Sequence, residues 1–265
     1  MKKFNLLAIL FLGVILFFQA CSDKKEVTTD TFDRELVKYS KVYSIKKDSS
    51  LVLDVQYLKY IDKKNATLYN NVNDSIYSFV AYCAGGDKNK SLDSIFAIQV
   101  AGYKEVVGID AEYDHFWDIE ITVNEQIDMH GVVSVEGNAY MNTGGAHPNT
   151  LVTLLSFDKK TGKIVTINDL IDPSKVEDFR KVVEKYFRLQ NKLSATENLE
   201  EAGFWLTDNK FAIPEEFNLT SNGIRFYINT YDIAPYVMGA FEIDVPYNEI
   251  KDLLKSGSLA QPFIK

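Results

Sequence analysis

The order in which residue periodicities occur constrains this chain more than any single residue does. Leu68, Tyr69, Val72, Ile76, Phe79, Val80 and Cys83 recur at helical spacing. Gly85-Gly86 stops that helix, and Leu92, Ile95, Phe96, Gln99, Val100 and Tyr103 form a second stripe ending near Gly102 or Gly108. The period then changes to two. Trp117, Ile119, Ile121 and Val123 share one face of a strand, with Asp118, Glu120 and Thr122 on the other. Leu51 to Leu58, Val132 to Tyr140 and Leu151 to Phe157 also read as strands. Asp158 to Lys163 is a turn leading into Ile164 to Ile167, which predicts a hairpin. Asp172-Pro173 is a cap followed by an N1 proline, opening a helix that buries Val176, Phe179, Val183, Tyr186 and Phe187. Ser194 to Glu197 has capping-box spacing and predicts another short helix. Gly223 to Asn229 and Phe241 to Val245 alternate, and Pro246 starts a C-terminal helix carrying Ile250, Leu253 and Leu254. Helices and strands come in groups rather than in strict alternation. The fold expected is α+β: two packed subdomains with largely antiparallel sheets and flanking helices.

The first residues speak to location. Lys2 and Lys3 precede an apolar run from Leu6 to Phe18, too short to favour a membrane span. Phe18-Gln19-Ala20-Cys21 resembles a lipobox, so residues 1–20 read as a lipoprotein signal peptide and Cys21 as the acylated residue. Each buried methylene of an acyl chain contributes about 0.8 kcal/mol, so a multiply acylated Cys21 would anchor the chain stably. Residues 21–35 read as a polar tether. The expected location is the bacterial cell envelope, facing the periplasm or the cell surface.

Without Lys2 and Lys3 the 29 basic residues fall to 27 against 37 acidic ones, a net charge of −10. That disfavours a nucleic-acid partner, which needs a basic face. With Cys21 lipidated, Cys83 has no disulfide partner. It sits in Val80-Ala81-Tyr82-Cys83-Ala84 without a basic neighbour, as a small core residue would.

Chemistry-bearing motifs are few. The chain has no Gly-x-Ser-x-Gly, Gly-x-Gly-x-x-Gly, P-loop or His-Glu-x-x-His pattern. His115, His130 and His147 lie 15 and 17 residues apart and carry no local zinc spacing. Asp110, Glu112, Asp114 and Asp118 suggest a calcium loop. However, His115 stands where its glycine belongs and Ile121 where its glutamate belongs. No cofactor, no metal and no catalytic residue is expected.

Two segments stand out. In Tyr140-Met141-Asn142-Thr143-Gly144-Gly145-Ala146-His147-Pro148-Asn149, the glycines permit positive φ and Pro148 keeps His147 out of the helical region. This is either a recognition loop or a family-specific structural turn. In Tyr231-Asp232-Ile233-Ala234-Pro235-Tyr236-Val237-Met238-Gly239, Pro235 ends regular pairing and two tyrosines offer amphipathic rings.

These segments, with Asp158 to Lys163, Asp169-Leu170, Phe217-x-Leu219, Gly223-Ile224-x-Phe226 and Val245-Pro246-Tyr247, carry a resemblance. Their order resembles the C-terminal domain of a bacterial extracytoplasmic family of unknown function, the domain type of the RsiV anti-sigma factor ectodomain, a lysozyme receptor. Leu68 to Asn73 resembles its companion domain, found also in the deacetylase PdaC. The resemblance implies a PdaC-like α+β subdomain over 36–142, an RsiV-like one over 143–265, and a binding role. The segment that binds sigma factors in the receptor and the catalytic domain of the deacetylase are not recognised here.

The function expected is therefore that of a non-enzymatic envelope lipoprotein. It would bind a lysozyme-like protein or a peptidoglycan-related ligand through Thr143, Gly144, Gly145, His147, Asn149, Tyr231, Pro235 and Tyr236. The alternatives are a cell-wall hydrolase or deacetylase using His147 with a carboxylate such as Asp232, or a structural subunit of an envelope complex.

Overall fold

The protein is described by a computed structural model covering residues 33–46, 49–61, 66–109, 116–264. The signal segment, Cys21, most of the tether, Asp110 to Asp114 and His115 lie outside the described residues.

Five strands form the first sheet in sequence order: β1 (Arg34–Lys46), β2 (Ser49–Tyr60), β3 (Phe116–Met129), β4 (Val132–Asn142) and β5 (Asn149–Asp158). All neighbours are antiparallel except β2 and β3. A parallel pair needs a long crossover. The helices α1 (Ala66–Cys83) and α2 (Leu92–Ile109) supply it. Their stripes pack on Leu53, Val55, Ile119, Ile121, Val123 and Val135, the alternate residues of one sheet face. Cys83 is buried in this core, and burial pushes its thiol pKa up to about 12. His130 and Gly131 join β3 to β4 with φ of 54° and 80°. Consecutive positive φ values match the twist of a tight hairpin, which assigns His130 a turn position. Its ring packs edge-on against Phe263.

The second sheet is β6 (Glu216–Leu219), β7 (Gly223–Ile228) and β8 (Phe241–Pro246), all antiparallel. The long helix of this half buries Phe179, Val183 and Phe187 against it, among Phe204, Phe211, Phe226 and Phe241. Burying each such side chain contributes about 1.5–3 kcal/mol.

The α+β class is as expected, and four local expectations are corrected. Ile164 makes only a bridge to Phe157. The strand stops there because Thr166 and Asp169 cap a one-turn helix, α3 (Ile167–Leu170), with the Asp169 carboxylate accepting the Thr166 N–H and hydroxyl at 2.9 and 2.7 Å. The long helix, α4 (Val176–Gln190), is preceded by a 3-10 turn at Pro173–Lys175, capped by Asp172. Ser194 to Glu197 closes a turn through Ser194 N–H and the Glu197 carboxylate, without a helix. After Pro246 the helix α5 (Tyr247–Ile250) lasts one turn before a 3-10 segment. Among the described residues no helix is long and apolar enough to cross a membrane.

The two sheets meet at the outer edge of β5. Val152 N–H donates to Asn229 Oδ1 at 2.8 Å, and Asn229 Nδ2 donates to the Val152 carbonyl at 2.9 Å. The Glu216 carboxylate accepts Leu154 N–H at 2.8 Å, and Val165 N–H donates to the Ser156 carbonyl at 2.8 Å. Leu219 N–H donates to the buried Ser156 hydroxyl. The Asn229 and Glu216 side chains, with the Val165 backbone, thus replace the strand that would otherwise extend the sheet, as buried backbone groups require. The position between 142 and 143, where the two subdomains were expected to divide, falls in the loop joining β4 to β5, inside the first sheet.

Candidate functional site

The β5 seam sets the geometry of the two unusual segments. Val152 follows the glycine loop on β5, and Asn229 precedes Tyr231 by two residues. The Asn229–Val152 clamp therefore brings the loops together. Beyond it the Asp232 carboxylate accepts Asn229 N–H at 2.9 Å, closing a tight turn. Tyr231 occupies the left-handed region at φ 76°. A bulky residue is held there only by tertiary contacts.

Three rings result. His147 stacks on Tyr236 with centroids 3.8 Å apart and planes at 18°. Tyr231 lies 6.2 Å from the imidazole and 5.7 Å from Tyr236. His147 Nδ1 is 3.1 Å from the Pro148 carbonyl, and Nε2 is 3.1 Å from the Tyr231 hydroxyl. A carbonyl can only accept, so Nδ1 carries the hydrogen and Nε2 of the neutral ring accepts from Tyr231. The Tyr236 hydroxyl also points to the Pro148 carbonyl, at 3.5 Å. Tyr231 and Tyr236 remain 48% and 39% exposed, and His147 is exposed too.

The glycine loop rests on an indole. Gly144 has φ 84°, and a Cβ there would lie 3.4 Å from Trp117 Nε1. The indole N–H is buried and has no acceptor among the described residues. Pro235 starts the second loop's 3-10 turn, Tyr236–Met238, and Gly239 ends it at φ 73°.

Contacts between the loops run through His147 and Pro148 on one side and Tyr231 and Tyr236 on the other. Among the described residues, Thr143, Gly145 and Asn149 form no hydrogen bond or ring contact with the second loop; Asn149 begins β5 opposite Met141. Reading by motif missed Asn229, Glu216 and Trp205. Each lies in ordinary-looking sequence and acts through a partner 28 to 77 positions away: Trp205 N–H bonds the Ile233 carbonyl, Glu216 bonds Leu154 and Asn229 bonds Val152. Beside the rim is a cavity of about 600 Å³ whose lining includes Trp205, Asp232 and Ile233. Among the described residues no group of three or more His, Cys, Asp or Glu side chains could hold a metal ion.

Residues 168–248 match the profile of DUF3298, a protein family of unknown function. No curated protein matches the chain. Two solved structures share its fold. A DUF3298-family protein of Bacteroides fragilis is 21% identical, with a TM-score of 0.68 over 88% of this chain and 99% of its own. Another, from Pseudomonas aeruginosa PAO1, is 18% identical, with a TM-score of 0.60 over 87% and 97%. The family of unknown function expected from the motifs is matched at that level.

Proposed function

We propose that this chain is a non-enzymatic, lipid-anchored envelope protein that binds its ligand on the His147–Tyr231–Tyr236 rim. The ligand class is a protein of lysozyme-like chemistry or a peptidoglycan-derived chain. The observation that carries the reading is the rim itself: three exposed rings from two loops, one on a left-handed backbone. Exposed aromatic clusters of this kind anchor protein and sugar ligands, whereas an ordinary surface disperses its aromatic residues. Cys21 and the preceding apolar run support the anchor, and the RsiV-like motif order supports a binding role. Calorimetry with purified lysozyme and with soluble muropeptides tests it. A saturable heat that disappears in His147→Ala and Tyr236→Ala is expected. Absence of heat from both ligands at high micromolar concentration and low salt would sink the reading.

The enzyme alternative rests on the His147–Tyr231 hydrogen bond, which could serve proton transfer. Asp232, its expected partner, instead accepts Asn229 N–H. Turnover of peptidoglycan by the purified protein, abolished in His147→Ala, would favour this second reading.

A further inference from the structure

We propose that the cavity beside the rim is a docking slot for a peptide segment that is both basic and apolar. The inference rests on the binding reading of the rim, because Asp232 and Ile233, which line the cavity, directly follow Tyr231. Its apolar lining includes Phe211, Ile213 and Ile233, and Trp205 is 54% exposed. Two features build that wall. Trp205 N–H donates to the Ile233 carbonyl at 2.6 Å, tying the segment to the tyrosine loop. Asp208 and Asn209 are both left-handed, and Asn209 N–H is held by the Glu200 carboxylate at 2.9 Å. A volume of about 600 Å³ lies in the range that encloses a small ligand or a few side chains.

The charge around the cavity selects the ligand. Glu215, Glu216 and Asp232 line it, and none has a cationic group within 4.0 Å among the described residues. Glu216 accepts Leu154 N–H and the Thr153 hydroxyl, and Asp232 accepts Asn229 N–H. These donors are neutral and leave the full negative charge in place. Lys210, also in the lining, lies 3.8 Å from Glu177 on α4. An anionic ligand would meet three carboxylates. A neutral sugar's hydroxyls can donate to the carboxylate oxygens but bring no positive charge to offset them. A guanidinium or ammonium pairs with them and can also lie over the Trp205 face. The adjoining apolar surface then takes a Leu-like neighbour.

The full chain carries two tryptophans, so fluorotryptophan labelling places one reporter in the cavity and one under the glycine loop. A Trp205→Phe variant assigns the two resonances. Three probes are titrated at low salt: a Leu-Lys-Leu-Arg-Leu-Lys hexapeptide, its counterpart with Glu at each basic position and a trimer of N-acetylglucosamine. The basic peptide alone is expected to move the Trp205 resonance saturably, more weakly as salt rises. Glu215→Gln with Asp232→Asn keeps the oxygen acceptors and removes two charges, and at least ~10-fold weaker binding is expected. Equal binding of the acidic peptide or the sugar, or unchanged affinity in the double variant, overturns the proposal. If lysozyme or muropeptide heats depend on His147 while no peptide moves Trp205, the slot fails and the rim reading stands. If the basic peptide binds and no ligand depends on His147, the reverse holds.

Discussion

Replacing Asn229 with alanine should damage both the stability of the protein and the geometry of the rim. The Asn229 side chain is nearly buried and spends both its polar atoms on one residue, Val152. Alanine leaves the Val152 N–H and carbonyl unpaired on the outer edge of β5. Each orphaned buried group costs about 1–3 kcal/mol, so the pair should cost about 2–6 kcal/mol, less where water enters the gap. Urea unfolding followed by circular dichroism gives that number directly. The second readout is local. His147 is stacked at 3.8 Å on Tyr236, so its ring protons should resonate upfield, and the clamp's loss should move them toward free-imidazole positions. Asn229→Asp sharpens the test. Its carboxylate would be buried against the Val152 carbonyl, which raises the folded-state pKa above the unfolded value of about 3.9. The variant should therefore regain stability as pH falls below that folded pKa and lose it as pH rises through it. A stability change in Asn229→Ala below about 0.5 kcal/mol, with His147 resonances unmoved, would refute the clamp argument.

Gly144→Ala should cost about 1–2 kcal/mol, because an L-residue would be forced to φ 84° with its Cβ 3.4 Å from the Trp117 indole; a fall in Tm tests it. Cys83, with its thiol pushed up to about 12 by burial, should resist Ellman's reagent at pH 8 in the folded protein and react fully in urea; rapid labelling of the native state would contradict the buried placement. Asp169 has its pKa lowered, first by the Thr166 hydroxyl bond and then by the Thr166 backbone N–H. Its folded pKa lies below the unfolded one, so the stability it contributes is present above pH about 4 and lost as pH falls through the folded value. Thr166→Val should flatten that acid-side loss, and an unchanged pH dependence would contradict it.

Periodicity made much of the fold legible. The two helical stripes and the alternating strands lie within a few residues of α1, α2, β3, β4 and β5, because each signal is set by local side-chain pattern and burial on one face. Ile164 to Ile167 misled because its β-branched run was outcompeted by the Thr166–Asp169 cap, a contact three residues long. The rim was half legible. Tyr231, Tyr236 and His147 announced themselves through glycine, proline and aromatic clustering. Asn229 and Glu216 did not, because an amide or carboxylate near a strand end carries no local mark of the partner it serves.

The amino-acid sequence by itself determined the class of secondary structure in most segments, the acidic balance, the lone core cysteine and the two loop-forming segments. All of these follow from short-range sterics and side-chain polarity. Only the tertiary structure decided that the loops meet, that His147 faces a tyrosine hydroxyl, and that a carboxylate-lined cavity opens beside them. Those outcomes depend on the unpaired edge of β5. Its backbone groups had to be satisfied, and the side chains that satisfy Val152 and Leu154 come from positions 62 to 77 residues farther along the chain.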